Sequence, residues 1–77
     1  MKFTEFCKQK NIQVLRDDLK FIRESTHCYK YEFRKTILKR YCDEWLRGID
    51  EQPIAALKQT SGRRRANIWL REYVENN

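Results

Sequence analysis

The chain has 77 residues, with 17 Lys or Arg against 11 Asp or Glu, a net charge of +6 and a pI near 9.5. A chain this short forms one small domain and leaves no room for a deep cleft between domains. Two glycines and one proline in a background of helix formers point to an all-α fold, and 13% aromatic residues exclude a disordered charged tail.

Residues 3–10 read as a short helix, capped by Thr4, with Phe3 and Phe6 turned inward. Asn11 interrupts it and is a good cap for the next helix. Residues 12–25 are periodic. At about 100° per residue, Ile12, Leu15, Leu19 and Ile22 make one stripe, flanked by Val14 and Phe21. Arg16, Lys20 and Arg23 lie opposite with Asp17 and Glu24, the mixed-sign pattern of a solvated face.

Residues 27–47, capped by Ser25 or Thr26, form the longest predicted helix. Tyr31, Leu38, Cys42, Trp45 and Leu46 group together, and Phe33, Ile37 and Tyr41 widen the apolar arc beyond half the wheel. A helix apolar over that breadth packs on two sides, so it is the expected central element. Cys28 and Cys42 stand about four turns apart and fall on the same inner arc. Lys30, Arg34, Lys35, Lys39 and Arg40 face a single acid, Glu32, and are interleaved with Tyr29, Tyr31 and Tyr41. Alternating basic and aromatic groups suit phosphate contacts combined with base stacking.

Gly48 and Ile49 end that helix, and Asp50 is placed to cap a short one over residues 51–59. Pro53 falls in its first turn, and Ala55 and Ala56 would permit a close helix crossing. Thr60, Ser61 and Gly62 then read as a turn before a last helix over residues 63–75. Its inner stripe is Ala66, Trp69, Leu70, Tyr73 and Val74.

This ending has the layout of a helix-turn-helix, so the expected architecture is a compact bundle of four to five helices with a C-terminal helix-turn-helix-like hairpin. Arg64, Asn67 and Arg71 fall on one outward stripe and are side chains suited to guanine and adenine edges. Arg63 and Arg65 flank them toward phosphates. Three arginines in a first helical turn oppose the helix dipole, and no acid stands at i+4 of Arg63 or Arg64. The expectation is that they are there for an anionic partner. An αα-hairpin with a basic end is the alternative reading.

The stretch Arg64-Arg65-Ala66 followed by Trp69-Leu70 resembles, over those few residues and with a shorter spacing to the tryptophan, a motif of PerC-type transcription activators. It assigns no role to any residue.

Chemistry has little to stand on. Three cysteines without C-x-x-C spacing and one histidine fit neither a disulfide framework nor a tetrahedral zinc site. Free thiols fit a reducing cytoplasm. No apolar run reaches the roughly 20 residues of a membrane span, and the first ten residues lack a signal-peptide core. Glycine-rich phosphate loops and nucleophile elbows are missing, and the acidic pairs Asp17–Asp18 and Asp43–Glu44 point to different helix faces.

The sequence therefore reads as a non-enzymatic protein without cofactor. The leading expectation is a small basic DNA-binding regulator that uses its last helix and its central helix, with DNA a better ligand than RNA. A homodimer or co-bound partner would supply the affinity that one small domain lacks. The alternative is a protein-binding adaptor or inhibitor, of the kind a phage or mobile element encodes. It would dock its basic face on an acidic or nucleic-acid-binding surface of a larger host complex.

Overall fold

The structure is a computed structural model and describes residues 2–76. Helix α1 spans Phe3–Gln9, α2 Arg16–Thr26, α3 Tyr31–Glu51 and α4 Lys58–Asn76, with a single 3-10 turn at Ala55–Leu57. Among the described residues there is no strand, and the helices form a small all-α bundle. Its spine is the antiparallel pair α3 and α4. Helix α2 packs on α4, and α1 adds Cys7, Phe3 and Phe6 to the core.

Each boundary has a local cause. Asn11 ends α1 rather than starting α2. It sits at φ 60° and lets Ile12 N–H reach Cys7 O at 2.8 Å and Asn11 N–H reach Lys8 O at 3.1 Å. That is a left-handed Schellman stop, which asparagine tolerates better than most residues. Residues 12–15 are therefore not helical, and Leu15 leaves the apolar stripe for solvent. Helix α2 begins at Arg16 because Asp18 reaches back to accept the Leu15 N–H at 2.9 Å.

His27 and Cys28 lie in the turn before α3, so Cys28 is exposed rather than on the inner arc. Thr26 is buried and donates its hydroxyl to Ile22 O at 2.7 Å, leaving Lys30 as an N-cap without a side-chain bond.

The chain's second half departs most from expectation. Gly48 does not end α3, which runs on to Glu51, and no helix spans residues 51–59. Thr60, Ser61 and Gly62 do not turn the chain either: they lie inside α4. The C-terminal hairpin is real, but its helices are α3 and α4 and its turn is residues 52–57. Lys58 fastens that turn by donating its ammonium to Ile49 O at 3.0 Å and to Gln52 O, two carbonyls at the end of α3, the first of which also accepts the Gln52 N–H at 3.2 Å.

The glycines do a different job from punctuation. A Cβ on Gly48 would sit 2.7 Å from Gly62 Cα and 2.7 Å from Ser61 O, so the two backbones touch where α3 crosses α4. Gly48 and Gly62, not Ala55 and Ala56, make the close crossing; both alanines are exposed.

The core between these helices is built from Ile37, Tyr41, Cys42, Trp45, Ala66 and Leu70, joined by Cys7, Ile12 and Ile22. Cys7 and Cys42 are both buried in this core. The Cys7 thiol beside it, and burial after that, push the Cys42 thiol well above its ordinary value.

Candidate nucleic-acid interface

The three consecutive arginines have three different fates. Arg63 Nε donates to Asp18 Oδ2 at 2.9 Å, an Nη2 bond reaches Gln13 O at 3.0 Å, and the guanidinium lies 5.2 Å from the Trp45 ring centre. Arg65 Nε donates to Glu44 Oε2 at 3.0 Å, and its Nη1 lies 2.7 Å from both Glu51 oxygens. The bond to Glu44, reinforced by Glu51, holds Arg65 above its ordinary pKa, so it stays charged. Of the three only Arg64 is exposed, on a cleft of about 470 Å³ lined by Gly48, Glu51, Gln52, Ser61, Arg65 and Ile68.

The dipole puzzle thus resolves inside the fold. The arginines stand in the second turn of α4, and acids remote in sequence compensate Arg63 and Arg65.

Asn67 is likewise committed. Its Oδ1 accepts the Tyr41 hydroxyl at 2.6 Å and its Nδ2 donates to Asp18 Oδ1 at 3.2 Å. Asp18, on α2, is buried and takes bonds from Arg63, Asn67 and the Leu15 N–H together. Arg71 is exposed on the back of α4 but shares that helix's end with the exposed acids Glu72 and Glu75. The stripe expected to read base edges is therefore not assembled: Arg64 and Arg71 face out while Asn67 is turned in.

Of the central basic residues, Lys30 stands at the N-cap of α3, and Lys35 places its ammonium 5.3 Å from the Tyr31 ring centre. Lys39 shares an exposed face with Glu32, Asp43 and Asp50. Arg34 turns inward, donating from Nη2 to Tyr29 O at 3.2 Å, and its Nε is buried without a partner.

Arg40 opens a different surface. Its Nε lies 3.7 Å from Glu44 Oε1, and Arg47 Nη1 lies 3.6 Å from the same oxygen. With Arg65 on the other oxygen, three guanidiniums surround one carboxylate. The Glu44 side chain is 8% exposed whereas Arg40 and Arg47 are 58% and 62% exposed. A buried acid therefore anchors cations whose donors still face water, since a guanidinium carries five N–H groups and the long contacts engage few of them.

The Arg40 guanidinium also lies 5.5 Å from the centre of the Trp69 ring. From Trp69 the rings continue to Tyr73 at 5.2 Å, Phe33 at 6.4 Å and Tyr29 at 5.4 Å. Along one face of the α3–α4 hairpin thus runs a row of aromatic rings ending in an arginine cluster; Phe33 is exposed, and Tyr29, Tyr73 and Trp69 are half-buried against the core.

Sequence reasoning named Arg40 and Arg65 but missed Glu44, Arg47, Trp69, Tyr73 and Phe33 as parts of one surface. The spacing Arg40-Glu44-Arg47, i to i+4 to i+7, carried the signal for the cluster.

Among the described residues, no group of three His, Cys, Asp or Glu side chains is placed to hold a metal ion, and no helix is long and apolar enough to cross a membrane. Comparison of the chain with protein-family models, curated proteins and solved structures found no match, so any functional reading rests on this surface itself.

Proposed function

We propose that this chain is a small non-catalytic nucleic-acid-binding protein, regulatory in role, that contacts its ligand through the open face of the α3–α4 hairpin. The observation that supports the reading is the gathering of Arg40, Arg47 and Arg65 on buried Glu44 beside the ring row. The anchor fixes where the positive charge stands, so little side-chain entropy remains to be lost on meeting a phosphate. Arg64, in the adjoining cleft, extends the same positive edge. The net charge of +6 supplies long-range attraction to an anionic polymer.

A titration against labelled oligonucleotide at several salt concentrations tests the reading. Arg47→Ala should weaken binding and lower the salt slope by about one phosphate's worth, roughly 0.7–0.9 in log–log units. Binding that is absent, or indifferent to salt, refutes it.

A second reading, the protein-binding adaptor, is favoured by the turn between α3 and α4. Residues 53–57, PIAAL, are all exposed, with Ile54 and Leu57 the largest apolar groups among them. Large apolar side chains presented together mark surfaces that a protein partner covers. Pull-down after nuclease treatment separates the readings, because an adaptor keeps a stoichiometric protein partner that Ile54→Asp removes.

A further inference from the structure

This inference rests on the nucleic-acid reading and names the ligand's form. We propose that the polymer is single-stranded DNA or RNA, with bases stacked on the ring row of Phe33, Tyr73 and Trp69 and phosphates held by Arg40 and Arg47.

Two independent features of the molecule lead there. The first removes the means of reading a duplex. Recognition of base edges in the major groove requires free polar side chains on one outward helix face. Arg63 and Asn67 are bonded to Asp18 and Tyr41, and Arg65 to Glu44 and Glu51. Of the candidate base-reading side chains on α4, that leaves Arg64 and Arg71 on its outer side, with Glu72 and Glu75 near the latter.

The second feature supplies what a single strand needs. Its bases expose their faces, and every base has a π-face that an aromatic side chain can stack, whatever the sequence. The rings of Trp69, Tyr73 and Phe33 succeed one another at 5.2 and 6.4 Å with interplanar angles of 30° and 38°, and Phe33 is 46% exposed. A duplex hides those base faces within its own stack and would gain nothing from the rings.

Arg40 joins the two halves of the site. It lies over Trp69 on one side and only loosely on Glu44 on the other, at 5.5 and 3.7 Å. A guanidinium in that position can exchange its long carboxylate contact for a phosphate while keeping its ring contact.

The two tryptophans provide an internal reporter. Trp45 is fully buried with its indole N–H donated to Gln59 Oε1 at 3.0 Å, whereas Trp69 is half-buried at the surface. A base stacking on the row changes the emission of Trp69 and leaves Trp45 untouched.

The test titrates the whole chain with a mixed-sequence single strand of DNA about 12 nucleotides long, a length within the span that small single-strand binders cover. The RNA of the same sequence and the corresponding DNA duplex are titrated beside it, at one salt concentration. Anisotropy of the labelled oligonucleotide and tryptophan emission are both recorded. At least one single strand should bind about tenfold tighter than the duplex and quench tryptophan emission, and the tighter of the two names the sugar. Trp69→Phe, which keeps a ring in the row but removes the indole, should lose the quench even when the strand is saturating. Phe33→Leu, which keeps an apolar side chain at an exposed site, should weaken single-strand binding roughly tenfold, the order expected for one lost stack, and leave duplex binding unchanged.

A duplex that binds as tightly as either strand, binding without quenching, or full single-strand affinity in Phe33→Leu overturns this inference and leaves the nucleic-acid reading standing. No binding of any of the three ligands overturns both.

Discussion

Tyr41 sits where the bundle's polar interior meets its apolar one. Its ring touches Trp45 and Phe3, at 6.0 and 6.5 Å between centroids, and its hydroxyl donates to Asn67, which in turn donates to Asp18. Burial foremost, and then the negative charge of Asp18, push the Tyr41 phenol well above its ordinary value, so the folded state holds it protonated as a donor. A phenol whose folded pKa is raised contributes stability in full below the unfolded value near 10, and that contribution is lost as pH rises beyond it. Urea midpoints for the parent should therefore fall steeply above about pH 10. Tyr41→Phe should be less stable at pH 7 by about 1–2 kcal/mol, having lost one buried hydrogen bond, but should show a shallower alkaline fall. Parallel curves for the two proteins would mean that Tyr41 is not the group whose ionisation loosens the core. At this scale the sequence was partly legible. Tyr41 reads as apolar arc from its spacing, but nothing local says that its hydroxyl meets Asn67, because the partner comes from another helix.

Helix α4 shows why element boundaries were harder to read than the elements themselves. The periodicity of Ala66, Trp69, Leu70, Tyr73 and Val74 located the side of α4 that meets the core, with Ala66 and Leu70 buried and the other three half-buried at its rim, and the broad apolar arc of α3 marked it as central. Thr60-Ser61-Gly62 has turn composition, yet the chain stays helical there because Gly62 is needed for contact rather than for conformation. Neither glycine adopts positive φ. The signal that separates the two uses, a second glycine facing it across a helix pair, exists only after α3 and α4 are placed together. Two effects then compete at Gly48. Alanine in a helix interior gains about 1 kcal/mol over glycine, while a Cβ here would press on the Gly62 backbone and Ser61 O at 2.7 Å, neither of which can rotate away. Overpacking of that kind costs roughly 1–3 kcal/mol and forces the helices apart. Gly48→Ala should therefore lower the melting temperature, by about 4–8 °C for each kcal/mol lost in a domain this small. A control, Ala56→Gly in the exposed turn, should move it little. A higher melting temperature in Gly48→Ala would refute the close crossing.

For the molecule as a whole, the central question is how a chain with so much positive charge holds together. Two buried acids, Asp18 and Glu44, act as anchors for the cations that the fold draws inward, and each joins elements remote in sequence. Asp18 ties α2 to α4 through Arg63; Glu44 ties α3 to α4 through Arg65. The run of arginines is thus divided between structure and surface, a division invisible from local spacing because both acids lie far from residues 63–65 in the chain. It also makes a prediction that separates the neighbours. Truncating Arg63 leaves Asp18 buried with only Asn67 and the Leu15 N–H, and removes the cation stacked on Trp45. Arg63 is itself partly exposed, which screens the ion pair, so the expected loss is about 1–3 kcal/mol rather than the larger cost of breaking a dry salt bridge. Arg64→Ala removes an exposed side chain that anchors no buried acid and should stay within about 0.5 kcal/mol of the parent. Urea denaturation of Arg63→Ala and Arg64→Ala side by side gives both values. In the oligonucleotide titration the order should invert at salt concentrations where both variants remain folded, with Arg64→Ala losing the more affinity. Equal loss of stability in the two would show that Arg63 is no more structural than its neighbour, and the anchoring role given to Asp18 would fall with it.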